Sequence, residues 1–150
     1  MNIIPFFVYG TLRPDFYHQS KWLKGAVSIK KAYIYGELHH NKYACAIPNN
    51  ISKKTIVGYL VHFPSNIYSS KLKKADWNEQ HPHHYTRELV TVYSNEGNTY
   101  QAWMYKCMYT YNNPVHNGDW VDYINKIDNS RNLLTLSLSA IAIITIISYY

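Results

Sequence analysis

Val8-Tyr9-Gly10-Thr11-Leu12-Arg13 comes directly after an apolar run, residues 3–7, and this order indicates a β-strand that ends in a tight turn. Glycine allows backbone angles that other residues resist, so the chain is expected to turn sharply at Gly10. Such a turn leaves consecutive backbone N–H groups without a ladder partner, and together they form a cradle of the size of an anion. The sequence therefore predicts uncharged hydrogen-bond donors behind the first strand.

A second segment, Asp76-Trp77-Asn78-Glu79, offers the carboxylate that the turn lacks. Glu79 stands at a predicted helix end with few other acids nearby, and burial there would raise its pKa toward neutrality. A carboxyl group so tuned takes a proton and returns it within one turnover. The alternative is an ordinary solvated glutamate at a helix end. Together the two segments indicate an enzyme acting on a small molecule.

Composition limits the classes of function. The chain has 150 residues, suited to one domain with a real core, and a hydrophobic fraction of 47% that argues against disorder. Its net charge is +6, yet the lysines are scattered in pairs and arginine, the better reader of phosphates, is scarce. We therefore expect a solvated basic surface and no nucleic-acid partner.

Cysteines and histidines give weaker signals. Cys45 and Cys107 are far apart without C-x-x-C spacing, so reduced, semi-buried thiols are the expectation. The histidine groups at 39–40 and 81–84 lack the spacing of a zinc site, so no metal is predicted. The first strand has neither the charged start nor the cleavage site of a signal peptide.

Hydrophobic patterning predicts a mainly antiparallel α+β fold. One face of the central helix carries Tyr68, Leu72 and Ala75, with Ser65 or Asn66 as its cap. The predicted elements are strands over 3–9, 26–38, 55–63, 85–93 and 100–108, a hairpin link over 95–98, a helix over 17–23 and a short helix opened by Gly118-Asp119-Trp120.

The chain changes character at about residue 132, because residues 133–150 carry no charge. As a helix they would span about 27 Å, close to the core of a bilayer. The sequence thus predicts two domains, 1–131 and 132–150, the second a membrane anchor that leaves the first facing the cytosol. The alternatives are a final core helix or strand and a cytoplasmic protein.

Several motifs, taken in order, carry a resemblance to a known family. V-Y-G-T-L-R is followed by G-Y-L-V-H-F, then by A-D-W-N-E before Y-T-R-E-L-V-T-V, then by A-W-M-Y and G-D-W. This order resembles the gamma-glutamylcyclotransferase-like superfamily over about residues 3–123. The AIG2-like and gamma-glutamylamine cyclotransferase branch is most similar. The glutathione-specific branch is less similar, because it typically has Tyr-Gly-Ser at the turn.

The resemblance implies a small mixed β-barrel with flanking helices and a cavity between the turn and the acid. It also implies a cofactor-free reaction in which a γ-glutamyl group cyclises to 5-oxoproline and releases an amine or amino acid. Glu79 matches the family's general acid/base. The substrate-binding positions implied are Tyr9, Gly10, Thr11 and Leu12, with Arg13, Arg87 and Tyr105 as weaker candidates.

Two departures from the family pattern favour an alternative function. Gln80 stands where a glycine usually follows the acid, and the histidine loop at 81–84 is unusual. These features suggest a catalytically inactive binding module on the same fold, tethered to a membrane. A membrane-tethered interaction protein is a third class, since fold alone does not settle function.

Overall fold

The computed structural model describes residues 3–16 and 21–147, with side chains up to residue 133. The chain divides into two compact units, Met1–Trp120 and Val121–Tyr150. The predicted boundary between residues 131 and 132 stays a prediction. The elements are β1 (Phe6–Val8), a 3-10 turn (Lys21–Leu23), β2 (Ser28–Asn41), β3 (Tyr43–Pro48), β4 (Thr55–His62), α1 (Ser65–Asn78), β5 (Tyr85–Ser94), β6 (Thr99–Cys107) and α2 (Trp120–Ile147).

Five strands close into a barrel in the order β2-β4-β1-β6-β5, because β5 pairs again with β2. The barrel closes where Ala32 and Tyr33 of β2 pair with Ser94 and Tyr93 of β5. The short β1 runs parallel to β6 and antiparallel to β4, whereas the other ladders are antiparallel. The predicted mixed, mainly antiparallel barrel is confirmed.

The long strand β2 pairs first with β4 and then with β3, and the change of partner falls at Gly36. Gly36 has φ +154°, and a Cβ there would lie 2.4 Å from the carbonyl oxygen of Ile47. Only glycine permits this close approach. The bend carries the β2–β3 hairpin beyond the barrel, where it forms a wall of the cavity described below.

The five predicted strands are all present with shifted ends, and the predicted hairpin link at 95–98 is confirmed. The strand β3 was not predicted, because Tyr43–Pro48 is short and lacks a clear alternation of buried and exposed residues. Residues 17–20 of the predicted helix over 17–23 lie outside the described residues, and Lys21–Leu23 is a 3-10 turn.

The helix α1 closes one side of the core. Ala75 is fully buried, and Tyr68 and Leu72 pack against a cluster that includes Phe6 and Trp22, as the spacing predicts. The predicted cap is wrong: Pro64 occupies the N-cap position without a side-chain hydrogen bond, and Ser65 is already helical. Proline fixes its own φ near the required value, so the helix starts there without a capping oxygen.

The C-terminal predictions need correction. A separate apolar helix over 133–150 is not shown, and neither is a short one after Gly118, because one helix, α2, begins at Trp120. The side chains of residues 134–147 and all of residues 148–150 lie outside the described residues. The predicted membrane-anchored localisation is wrong: across the described part of the chain, no helix combines the length and the apolar character needed to span a bilayer.

The cysteines also differ from expectation. Cys45 of β3 and Cys107 at the end of β6 form a disulfide, with their Cα atoms 5.3 Å apart. The prediction of reduced thiols is wrong because the barrel brings together two positions 62 residues apart in sequence. The bond fastens the edge strand β3, which pairs with β2 alone among the described strands, to the barrel.

Candidate active site

A cavity of about 570 Å³ lies within the first unit, where the turn after β1 meets the end of α1. The β2–β3 hairpin and parts of β5 and β6 complete its walls. The lining residues are Phe7, Val8, Tyr9, Gly10, Thr11, Leu12, Lys42, Tyr43, Ala44, Asn78, Glu79, Gln80, His84, Tyr85 and Tyr105. Of the residues that the sequence singled out, the cavity thus brings together Glu79, Tyr105 and the segment 9–12.

The turn at one wall offers free donors. Arg13 N–H donates to the Gly10 carbonyl at 3.1 Å, which closes a turn over residues 10–13. Within the described part of the chain, the backbone N–H groups of Gly10, Thr11 and Leu12 donate to no recorded acceptor. The predicted reason for the glycine is wrong, since Gly10 is not among the residues with positive φ. Instead, a Cβ at Gly10 would lie 3.0 Å from the Cβ of Ala44, so glycine serves close packing against β3.

Arg13 lies behind the turn and not in the cavity. Its guanidinium is 1% exposed and donates to both carboxylate oxygens of Asp15, at 2.8 and 2.6 Å, and to Asp119 at 2.7 Å. A buried arginine held by two acids fixes its surroundings, since breaking one pair leaves a charge uncompensated. Arg13 therefore positions the turn from outside the site.

Glu79 is the C-cap residue of α1, and it lines the same cavity as the turn. Desolvation by burial raises its pKa to about 7 from an ordinary value of 4.5. The carboxyl group has no hydrogen bond or ion pair with the described residues, so no neighbouring cation holds it ionised. A carboxyl group poised near neutral pH is suited to proton transfer in both directions.

The end of α1 that presents Glu79 has the hydrogen bonds of a Schellman motif. Gln80 N–H donates to Trp77 O at 3.2 Å and His81 N–H donates to Asp76 O at 2.9 Å. This motif requires a left-handed residue, and Gln80 adopts φ +50°. The chain therefore bends after Glu79 although the glycine typical of the family is absent. The glutamine that replaces this glycine is held in a strained backbone conformation.

Gln80→Gly is expected to raise the free energy of unfolding by about 1 kcal/mol, because glycine adopts the left-handed conformation without the steric cost of a Cβ. Urea denaturation of the purified protein measures the change. Gln80→Ala is the matched control, since it removes the amide and keeps the Cβ. Equal stabilisation by both variants, or none by Gln80→Gly, contradicts the explanation.

Three tyrosines hold the walls of the cavity together. Tyr9 OH donates to the carbonyl of Tyr105 at 2.6 Å, and Tyr85 OH donates to the carbonyl of Ala44 at 2.9 Å. Burial, and after it the charge of Glu79, raises the pKa of Tyr9 and of Tyr85. Both phenols therefore stay neutral beside Glu79, and their hydroxyl groups are engaged by backbone carbonyls.

Tyr105 connects the cavity to an ion pair outside it. Its hydroxyl donates to Asp76 at 2.6 Å, and burial raises its pKa. Arg87 binds the same carboxylate, donating to its second oxygen at 2.6 Å, and its guanidinium stacks 5.2 Å from the ring centre of Trp103. Arg87 does not line the cavity. It fastens β5 to the turn of α1 that precedes Glu79, so its role is structural.

Sequence reasoning missed the residues from the β2–β3 hairpin, Lys42, Tyr43 and Ala44, because β3 was not predicted. Tyr85 was also missed as a lining residue, because it was quoted only as the start of a strand. In the loop at 81–84, His84 faces the cavity, whereas His81 Nδ1 accepts a hydrogen bond from Arg87 N–H at 3.1 Å. Among the described side chains, no three His, Cys, Asp or Glu residues converge as metal ligands would.

Residues 6–122 match the sequence profile of the family Gamma-glutamyl cyclotransferase, AIG2-like. The chain belongs to this family. The matched region contains both the turn and Glu79, so the resemblance carried by the motifs is confirmed. Membership makes the chain gamma-glutamyl cyclotransferase-like.

Proteins similar to this cyclotransferase-like chain in sequence or in structure agree with the family assignment. A Methanocaldococcus jannaschii protein, whose name assigns it provisionally as a gamma-glutamylcyclotransferase, is 29% identical over 117 residues, covering 78% of this chain and 95% of the relative. YkqA of Bacillus subtilis superposes with a TM-score of 0.65 at 22% identity, over 85% of this chain and 42% of YkqA. An AIG2-like protein of Mus musculus superposes with a TM-score of 0.59 at 19% identity, over 78% of this chain and 88% of its own. The two superpositions show a shared fold.

Proposed function

We propose that the chain is a γ-glutamyl cyclotransferase in which Glu79 is the general acid/base. The α-amino nitrogen of a γ-glutamyl group attacks its own γ-carbonyl carbon, the amide bond to the leaving group breaks, and 5-oxoproline and a free amine or amino acid result. The single observation that carries the proposal is a carboxyl group with a pKa of about 7 in a cavity that also holds unpaired backbone donors.

The proton balance gives Glu79 its task. The substrate's ammonium nitrogen loses two protons on becoming a lactam N–H, and the leaving amide nitrogen gains two on becoming an ammonium. Protons thus move between two nitrogens of one substrate, with none supplied from outside. A carboxyl group near pKa 7 accepts and donates with similar ease at neutral pH, which suits a shuttle of this kind.

The donors of residues 10–12 have the complementary task. Attack on the γ-carbonyl places negative charge on its oxygen, and preorganised N–H groups stabilise such a charge without rearrangement. The same groups also suit the substrate's α-carboxylate. Five-membered ring closure gains further from proximity, since both reacting atoms belong to one molecule.

The test is a screen of purified full-length protein against γ-glutamyl amino acids, γ-glutamyl-lysine and γ-glutamylamines, with 5-oxoproline as the readout. Product from at least one class supports the proposal. Ligand-induced stabilisation without product from any class indicates the binding module instead.

The pH dependence of kcat/KM provides a second check. With a pKa of about 7 for Glu79, kcat/KM is expected to rise about tenfold per pH unit below pH 7 and to level off above it. The sign follows because protonated Glu79 cannot accept the ammonium proton. Initial rates between pH 5 and 8.5 at low substrate measure it, and a flat profile would rule out Glu79 as the titrating base.

A further inference from the structure

The β2–β3 hairpin places one cation at the rim of the cavity. Lys42 is the single residue between the paired Asn41 and Tyr43, and its backbone is left-handed, with φ +60°. Its side chain is exposed, lines the cavity, and holds Nζ 5.5 Å from the ring centre of Tyr43. Lys42 forms no salt bridge within the described part of the chain.

The side chain of Lys42 is opposite in charge type to that of Glu79, and both residues line the cavity. Among the described lining residues, Lys42 is the one lysine or arginine and Glu79 is the one aspartate or glutamate. Glu79 sits half-buried at the end of α1, whereas Lys42 sits at the solvent-facing tip of the hairpin. The cavity thus has a carboxyl group at the end of α1 and a lysine side chain at its exposed rim.

Substrate charges fit this division. A γ-glutamyl amino acid carries one ammonium group and two carboxylates. On the proposed function, the ammonium group meets Glu79, and the glutamyl half meets the donors of residues 10–12. The second carboxylate, on the leaving group, is then the one substrate charge without a partner at Glu79 or at residues 10–12, and the exposed Lys42 is the lysine that lines the cavity.

Resting on the proposed function, we infer that Lys42 determines specificity by binding the carboxylate of the leaving group. The enzyme therefore prefers γ-glutamyl amino acids and peptides over γ-glutamylamines whose leaving group has no carboxylate. A lysine at an exposed rim suits leaving groups of several lengths, because its ammonium is a point charge on a flexible stem.

The test compares two substrates that differ by one carboxylate, γ-glutamyl-alanine and γ-glutamyl-ethylamine. Lys42→Met is expected to raise KM for γ-glutamyl-alanine about tenfold, as for loss of a charged hydrogen bond, and to change KM for γ-glutamyl-ethylamine less than about twofold. Lys42→Arg should restore most of the affinity. Lys31→Met is the matched control, since Lys31 is an exposed lysine of β2 that does not line the cavity.

Each other outcome has a definite meaning. An equal rise in KM for both substrates, or no rise for either, overturns the role of Lys42 and leaves the cyclotransferase proposal standing. A wild-type protein that forms 5-oxoproline from neither of these two substrates overturns this inference, whereas the proposed function is overturned only when no class in the full screen gives product.

Discussion

Glu79→Gln is expected to lower kcat/KM for 5-oxoproline formation by a factor of about 10² to 10⁴, the usual contribution of a general acid/base. Glutamine keeps the shape of the side chain and cannot accept a proton from the substrate's ammonium group. The loss is expected mainly in kcat, since the donors at residues 10–12 and Lys42 remain in the cavity. Steady-state rates on the best substrate of the screen measure it.

Glu96→Gln is the matched control. Glu96 is 62% exposed, lies in the β5–β6 turn and pairs with Lys30, away from the cavity. The same chemical change there should leave kcat/KM within about twofold of wild type, as exposed ion pairs contribute little. Comparable activity in Glu79→Gln and wild type would show that proton transfer does not pass through Glu79.

The same variant has a signature that is independent of turnover. The pKa of Glu79 is about 7 in the folded protein against an ordinary 4.5, so the folded state binds the proton more tightly. Its contribution to stability is therefore fully present below about pH 4.5 and is lost as the pH rises to about 7. Glu79→Gln should remove this component, so that the variant gains on wild type between pH 5 and 8 in urea denaturation. Parallel pH profiles for the two proteins would contradict the burial of the carboxyl group.

Removing the disulfide with Cys45→Ala/Cys107→Ala is expected to lower the free energy of unfolding by about 4 kcal/mol. The bond closes a loop of 62 residues and so restricts the unfolded chain strongly. Part of the effect falls on the site, because Cys45 follows Ala44, whose carbonyl accepts the Tyr85 hydroxyl and whose Cβ packs on Gly10. Kcat/KM should fall together with stability as this wall loosens.

Wild type with and without reductant provides the control. Reduction should reproduce most of the loss in wild type and leave the double variant unchanged, because no cystine remains to be reduced. A wild-type protein whose denaturation midpoint does not respond to reductant would show that the bond adds nothing to stability.

The sequence predicted local features well where one physical signal dominates. The helix face of Tyr68, Leu72 and Ala75 follows from helical periodicity, and the β5–β6 hairpin follows from a turn-rich link between two apolar strands. The turn at residues 10–13 and the acid at Glu79 were identified for the same reason: each is a short motif with its own chemistry.

Other positions needed the assembled barrel. In the sequence, Arg13 and Arg87 are equally plausible ligands for an anion, yet both form ion pairs within the protein. Arg13 pairs with Asp15 and Asp119. Arg87 pairs with Asp76. Which acid meets which arginine depends on strand register, and register is not a property of a local segment.

The sequence by itself determined the mainly antiparallel α+β class and the two motifs on which the proposed chemistry depends, since these follow from residue order and local periodicity, and the order of the motifs carried the family resemblance that implied a barrel. Tertiary structure alone decided that Gly10 serves packing against Ala44, that Cys45 meets Cys107, and that Lys42 completes the cavity. The physical reason is common to all three. Each requires the short strand β3, whose place is fixed by pairing with β2 and not by its own residues.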